Sequence, residues 1–263
     1  MDRLTVATLN IRNLADRWDE RLPLLLADMS AIQPDILGLQ EVVFPMQQDR
    51  LIGAAGERRY ASFRGWAGRP EYGNALLVAD ELAATSRDVE RLDLGLNRSA
   101  LRVSIDLPAG STIAVAVTHL HHALTDDAER DDQVRRLLEW LAVGPESEAS
   151  VVVGDFNAEP EKPAADRMRA ARFRSAFAEA NGRDPDVTWP SGLQAPAMDT
   201  DGDPGCLDYI WIRGGVRAPA ARLAFDRPAV GDPTLYPSDH VGIVSELEIG
   251  STGTTGVAEA PAP

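Results

Sequence analysis

Short apolar runs alternate with helix-spaced stretches along most of the chain. Thr5 to Leu9 is an apolar run ending at Asn10 and predicts a strand. Trp18, Leu22, Leu25, Met29 and Ile32 then recur at helical spacing, and Pro34 stops that helix. Ile36-Leu37-Gly38-Leu39-Gln40-Glu41 predicts a second buried strand, ending on a carboxylate. Strand, helix and strand in succession signal an α/β fold. A polar, helix-like segment follows around Met46 to Ala55, then a strand over Gly73–Val78. Residues about 84–92, 100–106 and 112–118 predict further strands, separated by Gly, Asn and Pro-Ala-Gly. Without helices between them, they suggest an antiparallel stretch. The last of these ends on His119.

Val134, Leu137, Leu138 and Leu141 mark one face of a helix whose acidic first turns suit its dipole. Ser150-Val151-Val152-Val153 predicts a buried strand bounded by Gly154. Asp155 and Asn157 follow, two residues apart, so they point to the same side. Asp, Asn and Gly are also common turn residues, and this segment alone does not decide between turn and site. Phe173 and Phe177 mark a short helix; Leu207–Ile212 and Val241–Leu247 predict two more strands. Ser238-Asp239-His240 stands directly before the last.

No Pro/Gly-rich linker or tandem repeat divides the chain, so residues 1–249 are expected to form one domain, with 250–263 as a disordered tail. No apolar run approaches the roughly 18 residues of a membrane span. The N-terminus enters a strand pattern at once, without signal-peptide architecture, and the single Cys206 excludes an intramolecular disulfide. A cytoplasmic location is the expectation. The formal net charge of −15 argues against a general basic surface for long nucleic acids, but leaves room for a local basic groove. All but one of the 26 basic residues are arginine, the exception being Lys162. Compositional bias explains this, although arginine also suits bidentate phosphate contacts.

Polar groups fall at the strand ends again and again: Asn10, Glu41, His119, Asp155, Asn157, Asp208, Asp239 and His240. Thr8-Leu9-Asn10, Leu39-Gln40-Glu41, Thr118-His119-Leu120, Gly154-Asp155-Phe156-Asn157, Leu207-Asp208-Tyr209-Ile210 and Ser238-Asp239-His240 occur in that order. With these motifs the chain resembles the endonuclease/exonuclease/phosphatase superfamily, over residues 8 to 240. The resemblance implies a four-layer α/β/β/α sandwich, two mixed β-sheets packed face to face with helices outside. It also implies hydrolysis of a phosphodiester or phosphomonoester by metal-assisted attack of water, with Mg²⁺ (or Mn²⁺) as cofactor. Under it, Glu41 is the direct metal ligand, supported by Asn10 and Asp239. His119 and the ion would neutralise phosphoryl charge. Asp208 would accept a hydrogen bond from His240, fixing its tautomer and favouring its protonated form, while Asp155 and Asn157 would position the water and a phosphoryl oxygen. The base is Asp155 in one scheme and the Asp208–His240 pair in another.

Four weaker candidates accompany this set. Asn74, in Tyr72-Gly73-Asn74-Ala75, resembles a pocket-lining, substrate-binding position; it equally suits a strand entry. His121 and His122 match no usual zinc spacing and are expected in a solvent-facing loop. Arg130 and Gln133 resemble a family helix signature and are expected to support the site. Asp199–Gly205 reads as an acidic loop bordering the entrance, since its glycine is displaced from the calcium-loop position. The acidic charge favours a small soluble phosphoester or short single-stranded nucleic acid; a nuclease on DNA or RNA is the alternative. A non-catalytic or repurposed binding protein on the same fold is the third reading. Oligomeric state is not legible.

Overall fold

The computed structural model describes residues 1–144, 147–196, 198 and 202–250. The first half runs β1 (Asp2–Asn10), α1 (Trp18–Ile32), β2 (Ile36–Val43), a 3₁₀ turn (Phe44–Met46), α2 (Gln48–Gly53), β3 (Tyr60–Gly65), β4 (Tyr72–Ala79), α3 (Asp80–Ala83), β5 (Ser86–Gly95), β6 (Arg98–Asp106) and β7 (Thr112–His119). The second runs α4 (Asp127–Ala142), β8 (Ala149–Asp155), α5 (Pro163–Ala170), β9 (Arg174–Ser175), α6 (Ala176–Asn181), β10 (Asp208–Gly214), β11 (Val216–Ala224) and β12 (Gly242–Ile249). They build two six-stranded sheets, ordered β11-β12-β1-β2-β4-β3 and β5-β6-β7-β8-β10-β9. Both are mixed: β1–β2 and β7–β8 are parallel. The β5-β6-β7 run is antiparallel, as its lack of intervening helices suggested.

Period-two burial explains the layers. Val151 and Val153 point between the sheets, into a core with Val6, Ile36, Val117 and Ile210. Val152, between them, points outward and packs with Val134 and Leu137 of α4. Leu25 and Met29 of α1 cover the other sheet over Leu37 and Leu39. Each such side chain contributes about 1.5–3 kcal/mol on burial. Helices therefore lie outside two sheets packed face to face, the architecture implied by the resemblance.

Two glycines allow the close approach behind the strand ends. A Cβ on Gly38 would lie 2.3 Å from Val153 Cγ2, across the intersheet gap. Gly154 has φ +148, and a Cβ there would lie 2.0 Å from the Thr118 carbonyl. Phe173 precedes rather than enters the helix over Ala176–Asn181, whose N-cap is Ser175. The 251–263 part of the expected tail and residues 199–201 of the acidic loop lie outside the described residues.

Candidate active site

Strand direction gathers the polar ends. The strands β1 and β2 are parallel and finish together, bringing Asn10 beside Gln40 and Glu41. Because β12 runs antiparallel to β1, its entry segment Asp239–His240 reaches the same edge. In the other sheet His119, Asp155 and Asp208 sit in register across β7, β8 and β10. A bulge between Leu39 and Val42 leaves Glu41 at φ +61, re-aiming its side chain. Asn157 is also left-handed, at φ +48. A cavity of about 570 Å³ opens at this edge, lined by Asn10, Glu41, His119, Asp155, Asn157, Asp239 and His240 among others.

Asp155 is the hub. Its Oδ2 accepts from Asn10 Nδ2 at 3.0 Å and its Oδ1 from the Asn157 backbone N–H at 2.8 Å. His119 Nε2 and His240 Nε2 stand 3.4 and 3.6 Å from Oδ2. Burial pushes Asp155 up to about 7, with Asp208 adding to the rise and His240, Asn10 and Asn157 opposing it. His240 Nδ1 is 2.9 Å from Asp208 Oδ2. Burial works against its charge, but Asp208 and Asp155 outweigh that and hold His240 at about 10. His119 goes the other way: burial, then Arg98, lowers it well below the ordinary histidine value. Three buried groups on one edge thus take different protonation states at neutral pH.

Glu41 receives Asn10 Nδ2 at 3.3 Å and Asn13 Nδ2 at 2.6 Å. Ligand atoms of Asp155, Asp208 and His240 lie within 4.8 Å of one another, a grouping that could hold a metal ion. The Oδ1 atom of Asp208 is buried without a hydrogen-bond partner. A hard divalent cation prefers oxygen, and the Glu41 and Asp239 carboxylates supply it on the cavity wall, while the Asn10 amide turns its nitrogen to Glu41 and Asp155 and its oxygen to the Arg12 N–H. The residues present fit such an ion.

Asn74 does not join them. It is buried between the sheets, where its Nδ2 donates to the Ser99 carbonyl at 2.9 Å. Arg130 donates to the carbonyls of His121, Ala123 and Leu124, and Gln133 accepts from the His121 N–H, so both brace the loop after His119. His121 pairs with Asp126 at 3.0 Å, whereas His122 lines the cavity. The cavity also takes Arg12, Arg98 and Trp189, which strand-end reasoning does not reach. Arg98 Nη1 is 2.9 Å from both ring nitrogens of His119, and its Nη2 is 2.9 Å from His122 Nδ1. Arg12 pairs with Asp16 at 2.8 Å and approaches Asp239 at 3.6 Å. The Leu96-Asn97 turn is the sequence signal for Arg98: both residues have positive φ, and pairing β6 onto β7 carries the next residue to His119.

A family model described as the Endonuclease/Exonuclease/phosphatase family matches residues 7–240. Nocturnin from Rattus norvegicus is 27% identical over 259 residues, covering 88% of this chain and 59% of that protein. The chain thus spans less than two thirds of that relative's length. The catalytic domain of human nocturnin, solved with a bound sulfate anion, has a TM-score of 0.72 at 24% identity, covering 94% of this chain and 95% of that one. TDP2 from D. rerio, solved with a single strand DNA product, has a TM-score of 0.77 at 17% identity, covering 94% and 100%. At these identities the two structures speak to the fold.

Proposed function

The chain belongs to the endonuclease/exonuclease/phosphatase family, and from that premise we propose that it is a Mg²⁺-dependent phosphoesterase of small soluble phosphoesters or short single-stranded nucleic acids. The observation that carries this reading is geometric: Asn10, Glu41, His119, Asp155, Asn157, Asp239 and His240, from the ends of both sheets, line one cavity, with Asp155 between the two histidines. A base works best with a pKa near the working pH, which suits Asp155. His240 keeps its proton at neutral pH and is the cation of the pair, so Asp155 takes the proton of the attacking water. The Asn157 N–H and Asn10 Nδ2 orient the Asp155 carboxylate. Arg98 supplies positive charge to phosphoryl oxygens beside a neutral His119, which hydrogen-bonds rather than charges. Glu41 and Asp239, with Asn10 donating to Glu41, would hold the Mg²⁺ (or Mn²⁺) ion, which when bound supplies further charge neutralisation.

The cavity of about 570 Å³ and the net charge of −15 support a small or short substrate over a long polyanion. The test is a panel of bis-p-nitrophenyl phosphate, mononucleotides, short single strands, RNA, duplex DNA, sphingomyelin and inositol phosphates, each with Mg²⁺, Mn²⁺ or EDTA. EDTA-sensitive turnover of a small or short substrate, lost in His240→Ala, supports the proposal. Faster turnover of long DNA or RNA makes the protein a general nuclease. No turnover at all, in a folded protein, leaves a binding or repurposed role.

A further inference from the structure

Arg21, in the first turns of α1, is 0% exposed and uses every donor it has. Its Nε donates to the Asp16 carbonyl at 2.7 Å. Nη1 donates to the carbonyls of Ile11 and Pro237, both at 2.9 Å. Nη2 donates to those of Arg12 at 3.2 Å and Ala15 at 2.7 Å. A guanidinium has five N–H donors in a planar fork, and here all of them meet backbone oxygen. Among the described residues, no carboxylate pairs directly with it. Burial pulls its pKa down to about 10, with Asp239 and Asp16 partly opposing. Removing an ion from water costs several kcal/mol, and a methionine of similar length would fill the space without that cost. Stability alone therefore does not account for an arginine here.

The five carbonyls share a location. Four belong to the loop that leaves β1 directly after Asn10; the fifth, on Pro237, directly precedes Ser238-Asp239-His240. The loop is left-handed at Arg12, Asn13 and Asp16, with φ of 56, 36 and 49. Each such residue costs of order 1 kcal/mol and persists only where its surroundings over-determine it. Segments from the two ends of the chain thus converge on one planar cation. A second link, Ser238 Oγ to the Asn10 carbonyl at 2.6 Å, joins the same two segments.

We infer that Arg21 is a positioning residue: its guanidinium fixes the spacing between the Asn10–Arg12 segment and the Asp239–His240 segment. Its effect on turnover rests on the phosphoesterase reading; its effect on the two loops does not. Loosening it displaces Asn10, which holds Asp155, together with Arg12 and Asp239, which stand 3.6 Å apart on the cavity wall. Misplacements of this kind lower kcat more than they raise KM, because they spoil the reacting geometry.

The test compares Arg21→Met and Arg21→Lys with Arg102→Met. Arg102 is likewise buried, but it donates to the Trp140 carbonyl and to Glu90. In Arg21→Met, amide hydrogen exchange should rise selectively over residues 11–17 and 238–241. Turnover should fall by about 10²-fold in kcat with little change in KM. Arg21→Lys, with three donors for five acceptors, should restore the exchange protection and kcat only in part. Arg102→Met should lower the melting temperature while leaving kcat and exchange in both segments unchanged. If Arg21→Met does not fold, Arg21→Lys carries the same comparison. Wild-type exchange and kcat in the folded Arg21 variants would overturn the inference. Absence of turnover in the wild type would refute the phosphoesterase reading instead, with the exchange data still deciding on Arg21.

Discussion

The divergence of His119, Asp155 and His240 comes from what each is buried against. All three lose water, which disfavours charge. Asp208 and Asp155 reverse that for His240, Arg98 deepens it for His119, and Asp155 is left near neutrality. The rate should accordingly climb as pH rises through about 7, where Asp155 ionises, and fall as it passes about 10, where His240 loses its proton. A pH profile of kcat/KM checks this; a flat profile from 6 to 9 would contradict it. The same pair predicts a stability signature. The His240 pKa is raised from 6.5 in the unfolded chain to about 10, so the fold binds the extra proton between those values. Its stabilisation is complete below 6.5 and is lost as pH rises through about 10. Asp208→Asn should destabilise by about 3 kcal/mol at pH 6, and the gap to wild type should close toward pH 10.5. Urea unfolding at several pH values measures it; a gap that widens with pH would be the wrong sign.

Elements deliver these residues, and the strands that do so were legible because burial writes period two or continuous apolar runs into them. The order of polar residues at strand ends, Asn10 through His240, then follows from sequence. Other elements carry no such signal. The strand β11 contains Pro219 and several alanines around a bulge, and α5 is short and alanine-rich. Arg98 was hidden because a turn, not a strand pattern, presents it; Arg21 reads as an ordinary polar residue of an amphipathic helix. Asn74 misleads in the opposite sense, since its motif suggests a pocket while its amide is spent on Ser99 between the sheets. Gly38 shows how tightly the elements meet behind the site. Gly38→Ala should cost about 1–3 kcal/mol through its clash with Val153. Val153→Ala in the same chain should recover part of that, giving a coupling of about 1 kcal/mol or more in a double-mutant cycle. Additive effects would mean the intersheet gap can widen freely.

At the scale of the molecule, two sheets packed face to face bring their strand ends together around one cavity, and the family motifs are distributed over nearly the full chain rather than in one segment. This explains why function was readable as a reaction class but not as a substrate. The strand ends are common to the fold, whereas Arg12, His122 and Trp189 come from the loops around the cavity and Arg98 from the start of β6, directly after a turn. No helix of the described residues is long and apolar enough to cross a membrane. The proposed reaction is metal-dependent phosphoester hydrolysis with Asp155 as base. Its most direct test is p-nitrophenolate release from bis-p-nitrophenyl phosphate by wild type, Asp155→Asn and Glu41→Gln, with Mg²⁺ and then with EDTA. Turnover should be abolished by EDTA and restored by Mg²⁺, reduced about 10²–10⁴-fold in Asp155→Asn and lost at ordinary Mg²⁺ concentrations in Glu41→Gln. Turnover unaffected by EDTA, or equal in Asp155→Asn and wild type, would contradict it.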